Sequence, residues 1–379
     1  MSEVRRKTVL LITRNFPPLV GGMEKLNQRM LEGLAESHRT LLIGPKGCRS
    51  FAPEGTRVYE APVANMPVFL IYAKCMAIYL ALTRRPAICL AGSGLTAPYA
   101  WLAARLSGAR AAVYVHGLDL IADSRIYRWL WLPFIRRCDA VISNSGNTQR
   151  LAESVGVPAD RISVVHPGTD IPEPDPEKAA AFRIKFGFGS CPLLLSVGRI
   201  TARKGLLPFL QKAWPAVLAR HPDAKLVVIG SEPQQALRKD RRSALADIHA
   251  YLSKSGLEES VRFLGRVDDA TLTAAYQAAD VHVFPVLDST DDVEGFGMVA
   301  IEAAANGLPT VAFDAGGVAD AVDQGHTGQL LTPGDYPGFS LAVLSVLNQP
   351  RNIQQQDGIM AKFGWIRFGR DLERAILPL

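Results

Sequence analysis

The chain is poor in cysteine, with five in 379 residues, at Cys48, Cys75, Cys89, Cys138 and Cys191. They lie far apart, with no CxxC and no Cys/His cluster at zinc spacing, which argues against a zinc module. An odd, scattered set also argues against a disulfide scaffold, and reduced thiols in a cytosolic protein are the expectation. Long apolar runs are scarce. The opening "MSEVRRKTVLLIT" places charge before too short an apolar run for a signal peptide. The stretch Met66 to Leu82 has 17 residues with Lys74 inside it, short and interrupted for a membrane span. A mostly buried helix is expected there. Charge of one sign is not concentrated either. The net charge is +6 and the pI about 9.1, with Lys and Arg spread along the chain. No nucleic-acid-binding motif appears, so no nucleic-acid partner is expected. An anionic small ligand or an anionic membrane surface fits this balance. Several catalytic signatures are missing as well. GxGxxG, the Walker A loop, HExxH, GxSxG and a Ser-His-Asp order are all absent.

What is present is a core-forming composition, 48% hydrophobic, over a length that suggests two domains. "KTVLLIT" reads as a buried parallel strand, Met23 to Ser37 as a helix, and "RTLLIGP" as a second strand. That is a βαβ rhythm. "AAVYVHG" and "CDAVISNS" continue it. From Ile171 the Pro-spaced acids of "IPEPDPEK" interrupt the rhythm, and the domain boundary is placed there. The rhythm then restarts with "LLLSVGRI", "KLVVIGS", "VRFLGRV", "DVHVFPV" and "PTVAFDAGG". The expectation is two doubly wound α/β domains, with ligands at the carboxyl ends of their strands. "LRKDRRSALADIHAYLSKSG" reads as a charge-rich helix with a solvated face. "RIYRWLWLPFIRR", Arg125 to Arg137, has aromatics between arginines, a composition shared by interfacial anchors and ordinary amphipathic helices.

The most informative stretch is "EGFGMVAIE", Glu294 to Glu302. A strand and a polar loop precede it, and a helix ending at Asn306-Gly307 follows. The first amides, from Phe296, Gly297 and Met298 to Val299, have no intrahelical partner, and with the helix dipole they make an anion site suited to a diphosphate. Glu294 in the loop can accept hydrogen bonds from sugar hydroxyls. Glu302 is costly to bury unless partnered, and a ribose diol would partner it. Upstream, "VGRITARKG" places Arg199, Arg203 and Lys204 after a strand, where cations can stabilise a diphosphate leaving group. "PPLVGGMEK" puts Gly21 and Gly22 at a turn opening a helix, and "YVHGLD" puts His116 just past a strand. The pairs Asp268-Asp269 and Asp291-Asp292 are read as loop acids rather than metal ligands.

Together these segments resemble the GT-B-fold retaining glycosyltransferases of family 4. "EGFGMVAIE" matches the EX7E motif, "VGRITARKG" the diphosphate loop and "FPPLVGGME" the N-terminal glycine loop, while "NSGNTQRL" and "HPGTD" match the approach to the interdomain linker. The resemblance implies two Rossmann-like domains facing a central cleft. Residues 1–170 would bind the acceptor, with a C-terminal helix at about 362–379 crossing back, and residues 171–361 would bind the nucleotide sugar. Arg199 and Lys204 would hold the diphosphate and Glu302 the ribose. Glu294, with the amides of Phe296, Gly297 and Met298, would hold the transferred sugar. His116 would contact that sugar, and the acceptor would sit near Gly21 and Gly22. No cofactor or metal is implied, the nucleotide-diphosphate sugar being the donor substrate. The expected activity is transfer of a sugar from a UDP- or GDP-linked donor to a glycan or lipid-linked acceptor, as in bacterial surface polysaccharide or lipopolysaccharide assembly. The expected location is the cytoplasm, with peripheral association at the inner face of the plasma membrane. A nucleotide-sugar 2-epimerase and a non-catalytic basic binding protein are the alternatives. The chain departs from the family pattern at His166, often Asn, and in the turn of "VVIGSEPQQ".

Overall fold

The computed structural model describes residues 6–122, 124–232, 243–288, 293–349 and 356–377. The chain divides into two compact units, residues 1–168 with 363–379, and residues 169–362.

Unit 1 begins β1 (Thr8–Ile12), α1 (Gly22–Ser37), β2 (Arg39–Gly44), β3 (Arg57–Glu60), α2 (Met66–Arg84), β4 (Ile88–Ala91) and α3 (Ala97–Ser107). It continues with β5 (Arg110–Val115), α4 (Leu118–Ile121), α5 (Arg125–Leu130), α6 (Leu132–Arg137), β6 (Ala140–Ser143), α7 (Gly146–Ser154) and β7 (Ile162–Val164). The strands form one parallel sheet in the order β3-β2-β1-β4-β5-β6-β7. Fully buried runs such as Val9–Ile12 and Ile88–Ala91 explain the parallel arrangement, because both faces are covered. One face carries Phe69, Ala77 and Leu80 of α2, the alanines of α3, and Ile135 of α6.

Unit 2 begins α8 (Pro176–Phe186), β8 (Leu193–Val197), α9 (Leu206–Lys212), α10 (Trp214–Arg220), β9 (Lys225–Ile229), α11 (Ala244–Ser255) and β10 (Val261–Gly265). It continues with α12 (Asp269–Ala278), β11 (Val281–Phe284), α13 (Met298–Ala305), β12 (Thr310–Phe313), α14 (Val318–Ala321), β13 (Gly328–Leu331), α15 (Tyr336–Leu347) and α16 (Gln356–Phe363). Its six strands are again parallel, in the order β10-β9-β8-β11-β12-β13. In both sheets the order reverses beside the first strand, between β1 and β4 and between β8 and β11. That is the switch point where open α/β sheets take their ligands.

The last helix, α17 (Trp365–Ile376), returns to unit 1. Its buried Phe368, Leu372 and Ile376 complete the second sheet face with Leu26, Met30 and Leu34 of α1. Gly33 and Gly369 let the two helix backbones approach closely. Ser37 Oγ donates to Glu373 at 3.0 Å.

One expectation needs correction. The helix at Met66 exists, started by the Asn65 side chain and Pro67, but it is not mostly buried. Only 28% of its most apolar window is covered. The covered stripe is narrow and alanine-rich, so Ile71, Tyr79 and Leu82 face outward. Between β8 and β9 the chain forms two helices, α9 and α10, which break at Ala213 just before Pro215. Within "LRKDRRSALADIHAYLSKSG" the described helix is Ala244–Ser255, capped by Ser243. The residues before Ser243 in that segment lie outside the described residues.

Candidate functional site

The switch point of unit 2 is built from two loops. The first leaves β8, passes Arg199 and closes in a 3-10 turn at Ala202–Lys204 before α9. The second runs from β11 to α13 and contains Glu294. Packing locks the loops together. Leu287 N–H donates to Arg203 O at 2.9 Å. Gly205, with φ of 71°, lies so close to the Pro285 carbonyl that a side chain there would collide with it. A third segment, Gly316-Gly317 after β12, supports the Glu294 loop from behind. The Gly317 amide donates to Glu294 O at 2.8 Å, and a Cβ on Gly317 would strike the Gly295 carbonyl.

The result is a buried ionic triad. Arg203 donates to Glu294 Oε2 at 2.6 Å and Lys204 Nζ to the same oxygen at 2.8 Å. All three side chains are at least four-fifths covered. Burial works against the Glu294 charge, but Lys204 and then Arg203 outweigh it and hold the carboxyl below its ordinary range. Lys204 moves the other way from an ordinary paired lysine. Its burial, and then its two arginine neighbours Arg203 and Arg199, overcome Glu294 and lower its pKa. Two buried cations thus share one carboxylate oxygen. Beneath the cluster, Lys204 Nζ sits 4.7 Å from the centre of the Phe284 ring. His282, fully buried and stacked on Phe284, is pushed down to about 3 by burial and by Lys204.

Gly297 occupies the position before α13 with φ of 95° and has no side chain to cap the first-turn amides. Some helices of this chain do have such caps, from Ser145 on α7, Asp175 on α8 and Asp268 on α12, whereas α1, α3 and α17 are uncapped like α13. Asp268 is therefore a helix cap with Asp269 behind it, while Asp291-Asp292 lies outside the described residues. Among the described residues no group of three or more His, Cys, Asp or Glu side chains could hold a metal ion. One turn into α13, Glu302 Oε2 accepts from the buried Tyr276 hydroxyl at 3.1 Å.

The structure thus gathers Lys204, Glu294, Phe296, Gly297, Met298 and Glu302 on two neighbouring loops and one helix of unit 2. Arg199 is in the same loop but exposed. Arg203, not Arg199, pairs with Glu294. Sequence reading put Arg203 in the loop but not among the site residues. Tyr276 was missed altogether, since nothing local marks a tyrosine on another helix.

The other candidates are in unit 1. Gly21 precedes α1 without a side-chain cap, and Gly22 is the first helical residue. A Cβ on Gly21 would strike the Glu24 carboxylate, which accepts from Asn15 Nδ2 at 2.9 Å. His116 follows β5, buried, with Nε2 3.0 Å from Gly92 O and its amide donating to Asp119 at 3.1 Å. Gly92 and Gly21 both belong to the switch-point loops after β4 and β1. His166 is held through Nδ1, 3.2 Å from Asn144 O.

This arrangement was compared with known proteins. The family model for Glycosyltransferase Family 4 matches residues 20–173. The model for Glycosyl transferases group 1 matches residues 191–349, the unit that holds the triad. A GDP-mannose-dependent alpha-(1-6)-phosphatidylinositol monomannoside mannosyltransferase of Mycolicibacterium smegmatis is 29% identical over 365 residues, covering 90% of each chain. Among solved structures, Anabaena Alr3699/HepE in complex with UDP and glucose superposes with a TM-score of 0.77 at 19% identity, over 99% of this chain and 100% of that one. Sucrose-phosphate synthase from Thermosynechococcus elongatus does so with a TM-score of 0.76 at 22% identity, over 97% and 98%. With two family models matched in succession, and two Rossmann-like units of the GT-B fold, the chain belongs to the group 1, family 4 glycosyltransferases and is a transferase enzyme.

Proposed function

We propose that the enzyme moves a hexose, mannose before others, from a nucleoside-diphosphate sugar to a lipid-linked or glycan acceptor with retention of anomeric configuration. The observation that carries this reading is the buried Arg203–Glu294–Lys204 cluster beside the N-terminus of α13, where cations and helix amides lie together. A diphosphate would take Lys204 and the first-turn amides of α13 as donors, with Arg199 on the exposed side of the loop. Glu302, already aligned by Tyr276, takes the ribose hydroxyls. Glu294 and the amides of Phe296 to Met298 take the sugar. Mannose and a GDP donor are favoured because a relative covered over nine-tenths of its length is named a GDP-mannose-dependent mannosyltransferase. Its phosphatidylinositol monomannoside acceptor supports a lipid-linked acceptor here. In unit 1, Gly21 and Gly22 at the bare start of α1 are assigned to the acceptor, and His116 to the hydroxyl groups of a bound sugar.

In the proposed step the bond between the sugar's anomeric carbon and the diphosphate oxygen breaks. The acceptor oxygen bonds to that carbon on the same face. The acceptor's proton passes to the departing phosphate oxygen, whose charge Lys204 and the helix amides stabilise. No resident metal or cofactor enters this proposal. Neither an epimerase nor a non-catalytic binding role draws support from the relatives' names, which are those of transferases and synthases.

The test is a thermal-shift panel of nucleotide sugars followed by transfer assays into lipid extracts. GDP-mannose should raise the melting temperature in a saturable way and UDP-glucose less. A shift with UDP-glucose alone would move the donor assignment. No shift with any nucleotide sugar would remove the reading of the triad. The anomeric configuration of the product, read by NMR, tests retention.

A further inference from the structure

Strand β11 reaches the candidate donor site with two aromatic rings on one face. Side chains alternate along a strand, so His282 and Phe284 share a face while Val281 and Val283 take the other. The two rings are stacked, with centroids 5.7 Å apart and planes 23° apart. Both are buried. Phe284 touches more than its strand neighbour. Lys204 Nζ lies over its ring at 4.7 Å from the centre, within the range of a cation on an aromatic face. The start of α13 rests on the same ring. A Cβ added to Gly297 would come within 3.1 Å of Phe284 Cε1, an approach that the bare glycine makes room for. One ring therefore touches both groups assigned to the diphosphate, the Lys204 ammonium and the amino end of α13.

Lys204 needs such support. Its side chain is only 16% exposed, so little water solvates the ammonium. Glu294 Oε2 accepts one of its three N–H groups. Among the described residues, the charged and titratable groups around it are Arg203 and Arg199 of its own loop, Glu294 of the loop before α13 and His282 of β11. Burial favours loss of the Lys204 proton, and the two arginines act in the same direction. Glu294 opposes them, and His282 is neutral. The face of a phenylalanine ring is the negative side of its quadrupole, so Phe284 also favours the charged form. We infer that Phe284 is a positioning residue for sugar transfer, its ring face holding the Lys204 ammonium charged and in place for the donor diphosphate. The inference rests on the donor-site reading above. Phe284 acts through Lys204 and not on the substrate.

Fluorine withdraws electrons from a phenylalanine ring and leaves its shape nearly unchanged. The experiment therefore places mono-, di- and trifluorophenylalanine at position 284 of the full-length protein. NMR of labelled lysine side chains follows the titration of Lys204 in the free enzyme, its signal being the one lost in Lys204→Met. The midpoint should fall step by step, by about one pH unit for Phe284→trifluorophenylalanine. Calorimetry with GDP, repeated across pH, should show the alkaline loss of affinity moving to lower pH by a similar amount, with the plateau below it kept. Phe284→Leu, apolar but without an aromatic face, should move it in the same direction. If Phe284→Leu does not fold, the fluorine series decides alone. A ring that merely fills space would instead lower the plateau or the melting temperature and leave the limb where it is. Phe313→trifluorophenylalanine, on β12 against Tyr336 and Phe339, should change neither readout. Normal GDP binding with a Lys204 midpoint indifferent to fluorine overturns the inference and leaves the donor-site reading standing. An equal shift with the Phe313 variant overturns it too. A wild type that binds no GDP removes the donor-site reading, and the positioning role with it.

Discussion

The two units share a sheet order and a switch point but place their charges in opposite ways. In unit 2 the loops after β8 and β11 bury three ionised side chains against each other, at the bare amino end of α13. In unit 1 the equivalent loops, after β1 and β4, meet through neutral or half-exposed contacts. Asn27 donates to Gly92 O at 3.3 Å, His116 lies 3.0 Å from the same oxygen, and Asn15 holds Glu24. The cations of unit 1 lie instead on its outer helices. A doubly wound sheet dictates where a ligand sits. The chemistry of that ligand is set by a few residues in two loops.

The largest test of this contrast is in the triad. Glu294→Gln or Lys204→Ala should lower kcat/KM by about 100- to 1,000-fold. The counterpart in unit 1, Glu24→Gln, should change stability by no more than about 1 kcal/mol. Steady-state assays with denaturation curves separate the two, and near-normal turnover by Lys204→Ala would end the diphosphate assignment. Next is the difference between neighbours. Arg203→Ala leaves Glu294 buried with one cation and should cost about 3 kcal/mol. Arg199→Ala, on the exposed side, should stay within about 0.5 kcal/mol in stability while still weakening donor binding. Equal losses of stability would place Arg199 inside the cluster.

A smaller effect should appear in the pH dependence of stability. His282 is neutral and buried with a pKa of about 3, whereas an unfolded histidine titrates near 6.5. Between those values the unfolded chain binds the extra proton, so stability is full above about pH 6.5 and declines as pH falls towards 3. From pH 6.5 to 5 the decline is about 2 kcal/mol, and His282→Gln should reduce it. Glu294 does not contribute in that range, since its loss begins only below the ordinary carboxylate pKa. His38 in unit 1 is depressed by burial as well, so a residual slope should remain in the variant. Urea midpoints at the two pH values check this, and an unchanged slope would mean that His282 is not the titrating group. The smallest effect is expected for Tyr276→Phe. It removes the hydroxyl that aligns Glu302, and KM for the donor should rise about fivefold with kcat nearly constant. A fall in kcat alone would contradict a ribose role.

Much of this was legible in residues alone. Apolar runs such as Leu193–Val197 and Val281–Phe284, each followed by Gly, Pro or polar residues, mark parallel strands by composition. "EGFGMVAIE" reveals a helix start and two acids by spacing. Features that depend on distant contacts were not legible. Tyr276 meets Glu302 across 26 residues, and Gly316-Gly317 backs Glu294 from a loop read only as a strand end. The exposed face of α2 was misread because a helix rich in Leu, Ile and Ala reads as buried on either side. Only packing shows that its alanine stripe alone is covered.

The placement of α17 has a consequence for biosynthesis. Phe368, Leu372 and Ile376 fill a core whose other buried members, Val9 to Val165, leave the ribosome at least about two hundred residues earlier. The first unit begun is therefore the last one finished, and unit 2 can close its own sheet while unit 1 still waits with an apolar trough along α1. A fragment ending at Gly168 would be left permanently in that state, and supplying residues 363–379 as a separate peptide should restore it.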